Sequence, residues 1–322
     1  NEVYVIKDKE LFVTPSLGLT VYPDDGDNLI ELYKNADMAM YDSKKNGGNK
    51  YHFYSDHMNT EVNKRLELEN KLRKVIESEK FMIYFQPIVD AQTYSVYGAE
   101  LLLRWQDADF GFVSPSEFIP LTEETGLITG ITEWLIDKSF EYHNELKKDF
   151  NKEIHFSLNI TAHQFNNNII LENIEKAKNA FNISPEFLNL EITENSLMKN
   201  QDDIINLMNE VKKTGVTFAI DDFGTGYSSL SYLKKFPLDF LKIDKSFVSD
   251  IMKDPEDMEI IKAIIDLGKG LNLKLVSEGV ETREQLTFLQ ANGCDYIQGY
   301  LFSKPVTFDE YKNIFINKKI SI

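Results

Sequence analysis

From Phe81 onward the chain alternates short apolar runs with amphipathic stretches, and this alternation restricts the fold more than any other feature. The strand candidates are Met82–Pro87, Val96–Arg104, Ile154–Asn159, Leu188–Ile192, Val216–Asp221, Phe240–Ile243, Leu273–Ser277 and Tyr296–Gln298. Between them lie Ile131–Lys148, Asp202–Lys213 and Glu256–Gly270, amphipathic at helical period. Strands alternating with helices build βα units. Eight strands over about 240 residues predict a (β/α)8 barrel, for which about 250 is typical. Only Val89–Ser95 joins the first two strands, too short for a helical crossover. That link reads as a hairpin, so the first strand runs antiparallel. A doubly wound open sheet is the competing fold.

In either fold the chemistry gathers at the carboxyl ends of the strands. Val216–Leu230 (VTFAIDDFGTGYSSL) shows the pattern: an apolar strand, the adjacent acids Asp221 and Asp222, a loop with Gly224 and Gly226, and a helix beginning near Ser228. The other strand ends deliver Glu100 and Arg104, Asn159, Glu191 with Glu194, Lys242 with Asp244, Glu278, and Gln298. A lone acid after a strand is ordinarily a helix cap or a solvated loop residue. Polar groups at the ends of seven successive strands exceed what capping explains.

Glu, Asp and Asn oxygens without His or Cys clusters select hard cations such as Mg2+ or Mn2+. The five histidines show no metal-ligand spacing, which argues against zinc chemistry. Asp221 and Asp222 can hold two ions, one carboxylate bridging and one terminal. Such a pair can activate a water and stabilise both oxygens of an in-line phosphoryl displacement. Lys242 adds a positive charge for the water or transition state, and Arg104 a planar fork for phosphate. These residues read as a metal-dependent phosphoester hydrolase. A glycosidase barrel also uses paired carboxylates, but needs fewer oxygen ligands beside Lys and Arg.

The net charge of −17 argues against a nucleic-acid polymer as partner, because phosphate backbones are bound by an excess of Lys and Arg. No apolar run reaches the roughly 18 residues of a spanning helix, so no membrane contact is expected within this stretch. The single cysteine, Cys294, suits a reducing compartment, and a cytoplasmic location is expected, with a membrane-tethered longer parent left open.

Residues 1–54 read as a small α/β fragment. Leu11–Val21 predicts a strand, broken by Tyr22-Pro23-Asp24-Asp25-Gly26. Asp27 is the expected cap of a helix with an apolar face of Leu29, Leu32, Tyr33, Ala36 and Met40, ending near Asn46-Gly47-Gly48. Lys50–Tyr54 reads as a further strand. Residues 55–80 read as a linker helix with Leu68, Leu72, Val75 and Ile76 on one face.

Two resemblances attach to these segments. SLGLTVYPDDGDN and ADMAMYDSKKNGGNKYHFY resemble the carboxyl-terminal third of a GGDEF (diguanylate cyclase) domain, whose signature motif lies upstream in that family. Lys44 matches a family lysine near the nucleotide phosphates, whereas Gly48 replaces the usual arginine. The resemblance implies a remnant without cyclase activity. Phe81–Pro305 resembles an EAL domain through YFQPIVD, GAELLLRW, SPSEFIPLTEETGLI, LNITAHQF, LEITEN, AIDDFGTGYSSL, LKIDKSFV, SEGVET and YIQGYLFSKP. This resemblance implies a TIM-barrel-like domain over 81–322 with one antiparallel strand, hydrolysing cyclic-di-GMP to linear pGpG with two Mg2+ or Mn2+ ions.

Carried over by position, Glu100, Asn159, Glu191 and Asp221 match ligands of the first metal. Asp221 and Asp222 match those of the second, with Glu278 close by. Lys242 matches the lysine that contacts the catalytic water. Arg104 and Gln298 match residues at the substrate mouth, Gln86 one that faces a guanine, and Glu281 another acid of the site. Glu194 matches the glutamate anchoring the loop after Asp222. The resemblance also implies a homodimer through the helix around Ser228–Lys235. The family tripeptide reads Glu100-Leu101-Leu102 here, with Leu101 in place of Ala; strand alternation turns Leu101 away from Glu100, so the ligand is expected to survive. A non-catalytic cyclic-di-GMP receptor is the alternative function. On their own, Glu281 and Asp244 also read as helix-start caps, and Tyr227, Tyr296 and Tyr300 as packing residues.

Overall fold

The computed structural model describes residues 3–6, 9–12, 14–45, 47–150, 153–165, 169–197, 201–224, 233–251 and 254–316. The chain divides into two units, Asn1–Glu77 and Ser78–Ile322.

In the first unit, β1 (Val3–Ile6) and β2 (Lys9–Phe12) form an antiparallel hairpin. The strand expected over Leu11–Val21 is instead two segments, because β2 ends at Phe12 and β3 covers only Leu17–Leu19. Pro15 lies in the break, where it has no N–H to give a ladder. β3 pairs in parallel with β4 (Tyr51–Phe53) across α1 (Leu29–Lys45), a small βαβ unit.

Helix α1 corrects two expectations. Its amino end is capped by Asn28 rather than Asp27: the Asn28 side-chain oxygen accepts the Glu31 N–H at 3.0 Å. Its buried stripe is Asn35, Ala39 and Ser43, while Leu29 and Tyr33 are 74% and 75% exposed. The stripe is rotated because β3 approaches the helix backbone closely. A Cβ on Gly18 would stand 1.9 Å from the Ala36 carbonyl oxygen, so small residues take the contact. Helix α2 (Asp56–Glu77) follows, with Leu68 and Leu72 buried and Val75 and Ile76 half-buried, as the periodicity predicts.

In the second unit, eight strands close a barrel: β5 (Met82–Asp90), β6 (Val96–Asp107), β8 (His155–Asn159), β9 (Leu188–Thr193), β10 (Thr217–Phe223), β11 (Phe240–Ile243), β12 (Lys274–Ser277) and β13 (Tyr296–Gln298). Strand β5 is antiparallel to both of its neighbours, β6 and β13, and the other barrel pairings are parallel. Closure excludes the open doubly wound sheet. A short strand, β7 (Gly111–Val113), folds back on the end of β6.

The segments predicted as Ile131–Lys148, Asp202–Lys213 and Glu256–Gly270 are helices Ile128–Phe150, Gln201–Lys212 and Pro255–Gly270. Their apolar faces cover the outer surface of the barrel, in one core running from Phe85 and Leu101 through Leu158, Leu190 and Ile220 to Leu275 and Ile297. Burying these side chains is the main stabilising term.

The barrel is closed at its amino-terminal end. Register jumps from Ile88↔Gly98 to Val89↔Val96, leaving Tyr97 as the extra residue of a β-bulge. Its ring stacks on His155 with centroids 4.4 Å apart and lies 4.3 Å from Tyr296, beside Phe240. Tyr296 is therefore a packing residue, as the sequence suggests. Among the described residues no helix is long and apolar enough to cross a membrane.

Candidate active site

Alternation along each strand decides which side chains enter the barrel, and the carboxyl ends of the parallel strands decide where they meet. Glu100 and Arg104 are two turns of the pleat apart on β6, while Leu101 packs in the outer core, as expected for its parity. Antiparallel β5 sets Gln86 directly opposite Glu100. Asn159 ends β8, Glu191 lies on β9, Asp221 and Asp222 on β10, Lys242 on β11, Glu278 just after β12, and Gln298 at the end of β13.

Lys242 is the centre of this group. Its ammonium lies 2.5 Å from Glu191 Oε2, 2.5 Å from Glu278 Oε1, 3.2 Å from Asp221 Oδ1 and 3.7 Å from Glu100 Oε2, with the side chain only 1% exposed. Burial opposes its charge, but the four carboxylates together hold its pKa well above the ordinary lysine value. Glu100 is fixed from two sides: Asn159 Nδ2 donates to Oε1 at 2.6 Å, and Gln298 Nε2 to Oε2 at 2.6 Å. Gln298 also donates to Gln86 Oε1 at 3.1 Å. Burial works against the Glu100 charge, yet Lys242 and the two amides hold its carboxyl below the usual range.

Glu191 and Glu278 also meet Lys242, but among the described residues no amide side chain donates to either. Burial, reinforced by neighbouring acids and only partly offset by Lys242, pushes Glu191 well up and Glu278 to about 8. Four carboxylates around one ammonium leave three negative charges uncompensated in a buried space. Desolvated like charges of this kind either take up protons or hold cations.

The donor set fits the second outcome. Asp221, Asp222 and Glu278 each offer an oxygen, all within 4.8 Å of one another. Asn159, whose amide nitrogen is used on Glu100, keeps its carbonyl oxygen for a cation. All-oxygen ligation matches a hard divalent ion. This acidic cluster can bind a metal.

Adjacent strand residues should point to opposite faces, so the pairing of Asp221 and Asp222 needs a backbone device. Asp222 adopts φ 53°, and its N–H donates to Asp221 Oδ1 at 3.0 Å. The left-handed turn brings the second carboxylate to the same side as the first. Burial, then Asp221 and Asp244, raise the Asp222 carboxyl to about 6, and it shares a hydrogen bond with Asp244. Asp244 also caps the helix Lys245–Asp250 by accepting from Ser246 N at 2.9 Å. The capping expectation for Asp244 holds, but its bond to Asp222 escapes sequence reasoning, because caps and site acids look alike in sequence.

Beyond Asp222 the chain turns at Gly224, whose φ is 101° and whose N–H donates to Glu194 Oε2 at 3.0 Å. A Cβ there would stand 2.8 Å from the Phe247 ring, so glycine is required twice over. Glu194 Oε1 is buried with no partner among the described residues. Gly226, Tyr227 and most of the helix expected around Ser228–Lys235 lie outside the described residues.

Arg104 is half-buried, donates to the Leu103 carbonyl at 2.9 Å, and stands over the Tyr84 ring with its Cζ 5.7 Å from the centroid. Two expectations fail locally. Glu281 is exposed: its backbone N–H donates to Gln285 Oε1 at 2.8 Å, and the helix Arg283–Asn292 is capped by Thr282 instead. Among the described residues the Glu281 carboxylate is not part of the acidic cluster. Tyr300 is 54% exposed beside Gln298, with the Lys304 ammonium over its ring, so it is not a core residue.

Comparison with known proteins agrees with this arrangement. The EAL domain model matches residues 69–305, and the model "Diguanylate cyclase, GGDEF domain" matches residues 1–50. The chain is similar to the bifunctional diguanylate cyclase/cyclic di-GMP phosphodiesterase MucR of Pseudomonas aeruginosa, 37% identical over 306 residues, covering 95% of this chain and 45% of that protein. It is also similar to the cyclic di-GMP phosphodiesterase NbdA of the same species, 37% identical, covering 95% of this chain and 39% of that protein. The chain thus spans less than half the length of these relatives. Among solved structures, the MucR phosphodiesterase in complex with c-di-GMP superposes with a TM-score of 0.73 at 36% identity, over 76% of this chain and 99% of that one. With the closed barrel and its acidic mouth, these matches identify the chain as a member of the EAL domain family.

Proposed function

We propose that this chain hydrolyses cyclic-di-GMP to linear pGpG, and that the barrel of residues 81–322 carries the activity, with 1–54 a GGDEF-like unit and 55–80 the connecting helix. The observation that carries this reading is Lys242, buried among Glu100, Glu191, Asp221 and Glu278 at the mouth of an EAL barrel. Glu100, Asn159, Glu191 and Asp221 would hold one divalent cation. Asp221 and Asp222 would hold a second, with Glu278 beside it. Two such ions, when bound, lower the pKa of a water and neutralise phosphoryl oxygens.

The reaction adds water oxygen to phosphorus, breaks the P–O3′ bond and delivers a proton from that water to the leaving O3′, leaving a 5′-phosphomonoester and a 3′-hydroxyl. Without cations the four carboxylates hold Lys242 as an ammonium; in that form it would orient the water and offset developing charge. Arg104 supplies a planar donor fork for the diester oxygens. Gln86 and Gln298, already joined to each other, hold the nucleotide, with Glu281 at the rim. Glu194 acts through the loop that begins at Gly224.

We take Mg2+ and Mn2+ as the working ions, a homodimer through Ser228–Lys235 as the assembly, and the cytoplasm as the location. Sedimentation of the active protein as monomer alone would refute the assembly. The function is tested by incubating the protein with cyclic-di-GMP and either ion and separating the products by chromatography. Linear pGpG is the expected result. Tight binding without any linear product would replace the enzyme by the receptor reading.

A further inference from the structure

Between the outer face of the barrel and its covering helices lies a cavity of about 180 Å³ that the proposed chemistry does not use. Its walls are aliphatic: Leu101 and Leu158 from the strands, Ile119, and Ile128, Ile131 and Leu135 from the helix Ile128–Phe150. Polar atoms are few and mostly committed. The Thr132 hydroxyl donates to the Ile128 carbonyl at 2.7 Å and accepts from Gln164 Nε2, while Gln164 Oε1 accepts the Thr161 N–H at 2.5 Å. Thr161 is a lining residue whose hydroxyl is buried with no partner among the described residues.

An apolar cavity of about 150 Å³ in another protein stays dry and binds benzene. A space of this size and lining therefore admits one six-membered ring, and the unused hydroxyl adds a hydrogen-bonding point. The cavity is also placed to matter, because Arg104 and Asn159 form part of its wall. We propose that this cavity is a binding site for a small neutral ring bearing one hydroxyl, of the size of phenol, and that its occupant shifts the strand ends that present Arg104 and Asn159. The second half of this proposal rests on the phosphodiesterase reading; the first does not.

Binding is read on the cation-free chain of residues 1–322, without nucleotide, by titrating phenol and benzene in ligand-observed and protein-observed NMR. Expected are saturable phenol binding near or below about 1 mM, amide shifts concentrated on β6, β8 and the helix Ile128–Phe150, and benzene binding roughly tenfold weaker. Ile131→Phe, which fills the space, should abolish binding of both rings. Thr161→Val keeps the volume and should weaken phenol roughly tenfold to the level of benzene.

No saturable phenol binding in the unmodified protein, or shifts centred elsewhere, would overturn the site. Undiminished phenol preference in Thr161→Val would overturn the role of the hydroxyl even if Ile131→Phe does not fold. For the second half, saturating phenol should change the turnover of cyclic-di-GMP at least twofold in the unmodified protein and leave Ile131→Phe unaffected. Binding without any change in turnover would overturn the coupling alone. An absence of turnover under all conditions would strike the phosphodiesterase reading and leave the binding result standing.

Discussion

Removing divalent cations should make stability fall as pH rises from about 6.5 to about 8.5, and Glu278 supplies the size of the effect. Its folded pKa is about 8 against an ordinary value of 4.5, chiefly through burial, so the folded state holds its proton more tightly than the unfolded chain does. The stability that this proton confers is complete below the unfolded value and is lost as pH climbs through the folded one. Each pKa unit is worth about 1.4 kcal/mol, so the interval from 6.5 to 8 removes about 2 kcal/mol. For a unit of this size that is a drop in Tm of roughly 4–8 °C.

The window is chosen because little else titrates there. The His143 imidazole, pushed down to about 4 by burial, has the opposite sign, and its contribution is complete once pH passes the ordinary histidine value of 6.5. Asp222, raised to about 6, completes most of its change below the window, and Cys294, raised to about 12, has barely begun above it. Glu191, also raised, acts in the same direction as Glu278. Thermal melts of EDTA-treated protein across the window measure the fall; Glu278→Gln should flatten it, and millimolar Mg2+ should suppress it in the unmodified protein. A Tm that stays constant or rises across the window, or a Glu278→Gln variant with the full slope, would refute the reasoning.

Other outcomes follow from the same contacts. Lys242→Met leaves buried carboxylates uncompensated and should cost about 3–5 kcal/mol without cations by urea denaturation, as well as abolishing turnover. Asp221→Asn should eliminate hydrolysis while keeping the fold; linear pGpG at the unmodified rate would disprove the ligand assignment. Glu194→Ala removes a charged acceptor from Gly224 N–H, worth about 1.5–3 kcal/mol, and hydrogen exchange at that amide should accelerate tenfold or more. Glu281→Gln should lower kcat/KM less than about tenfold, because that carboxylate stands clear of the cluster; a loss matching Glu278→Gln would place it in the chemistry.

Most of the barrel is legible in the sequence because its strands are buried on both faces and bounded by turns. Phe240–Ile243 and Tyr296–Gln298 are found with the bounds expected, and the short link Val89–Ser95 does reveal the antiparallel strand. What escapes are features set by neighbours distant in sequence. The Leu29 and Tyr33 pattern on α1 imitates a buried face, yet both are exposed, and the close approach of Gly18 is to the helix backbone at Ala36 and Met40. The bulge at Tyr97 depends on register against β5, which no local run of residues encodes. In the site, motif spacing identifies the inward acids, but only tertiary geometry separates Asp244, which reaches Asp222, from Glu281, which does not reach the cluster.

Among the described residues the rings of Tyr97, His155, Phe240 and Tyr296 pack together as a floor to the barrel, opposite the mouth that holds Lys242. Whatever sits against Glu191 and Lys242 arrives through the same aperture as whatever later covers Gln86 and Gln298. On the proposed function, ions would therefore enter first and leave last, and a bound nucleotide would act as a stopper over them. Chelators should therefore strip the protein quickly when the mouth is open and slowly when it is filled.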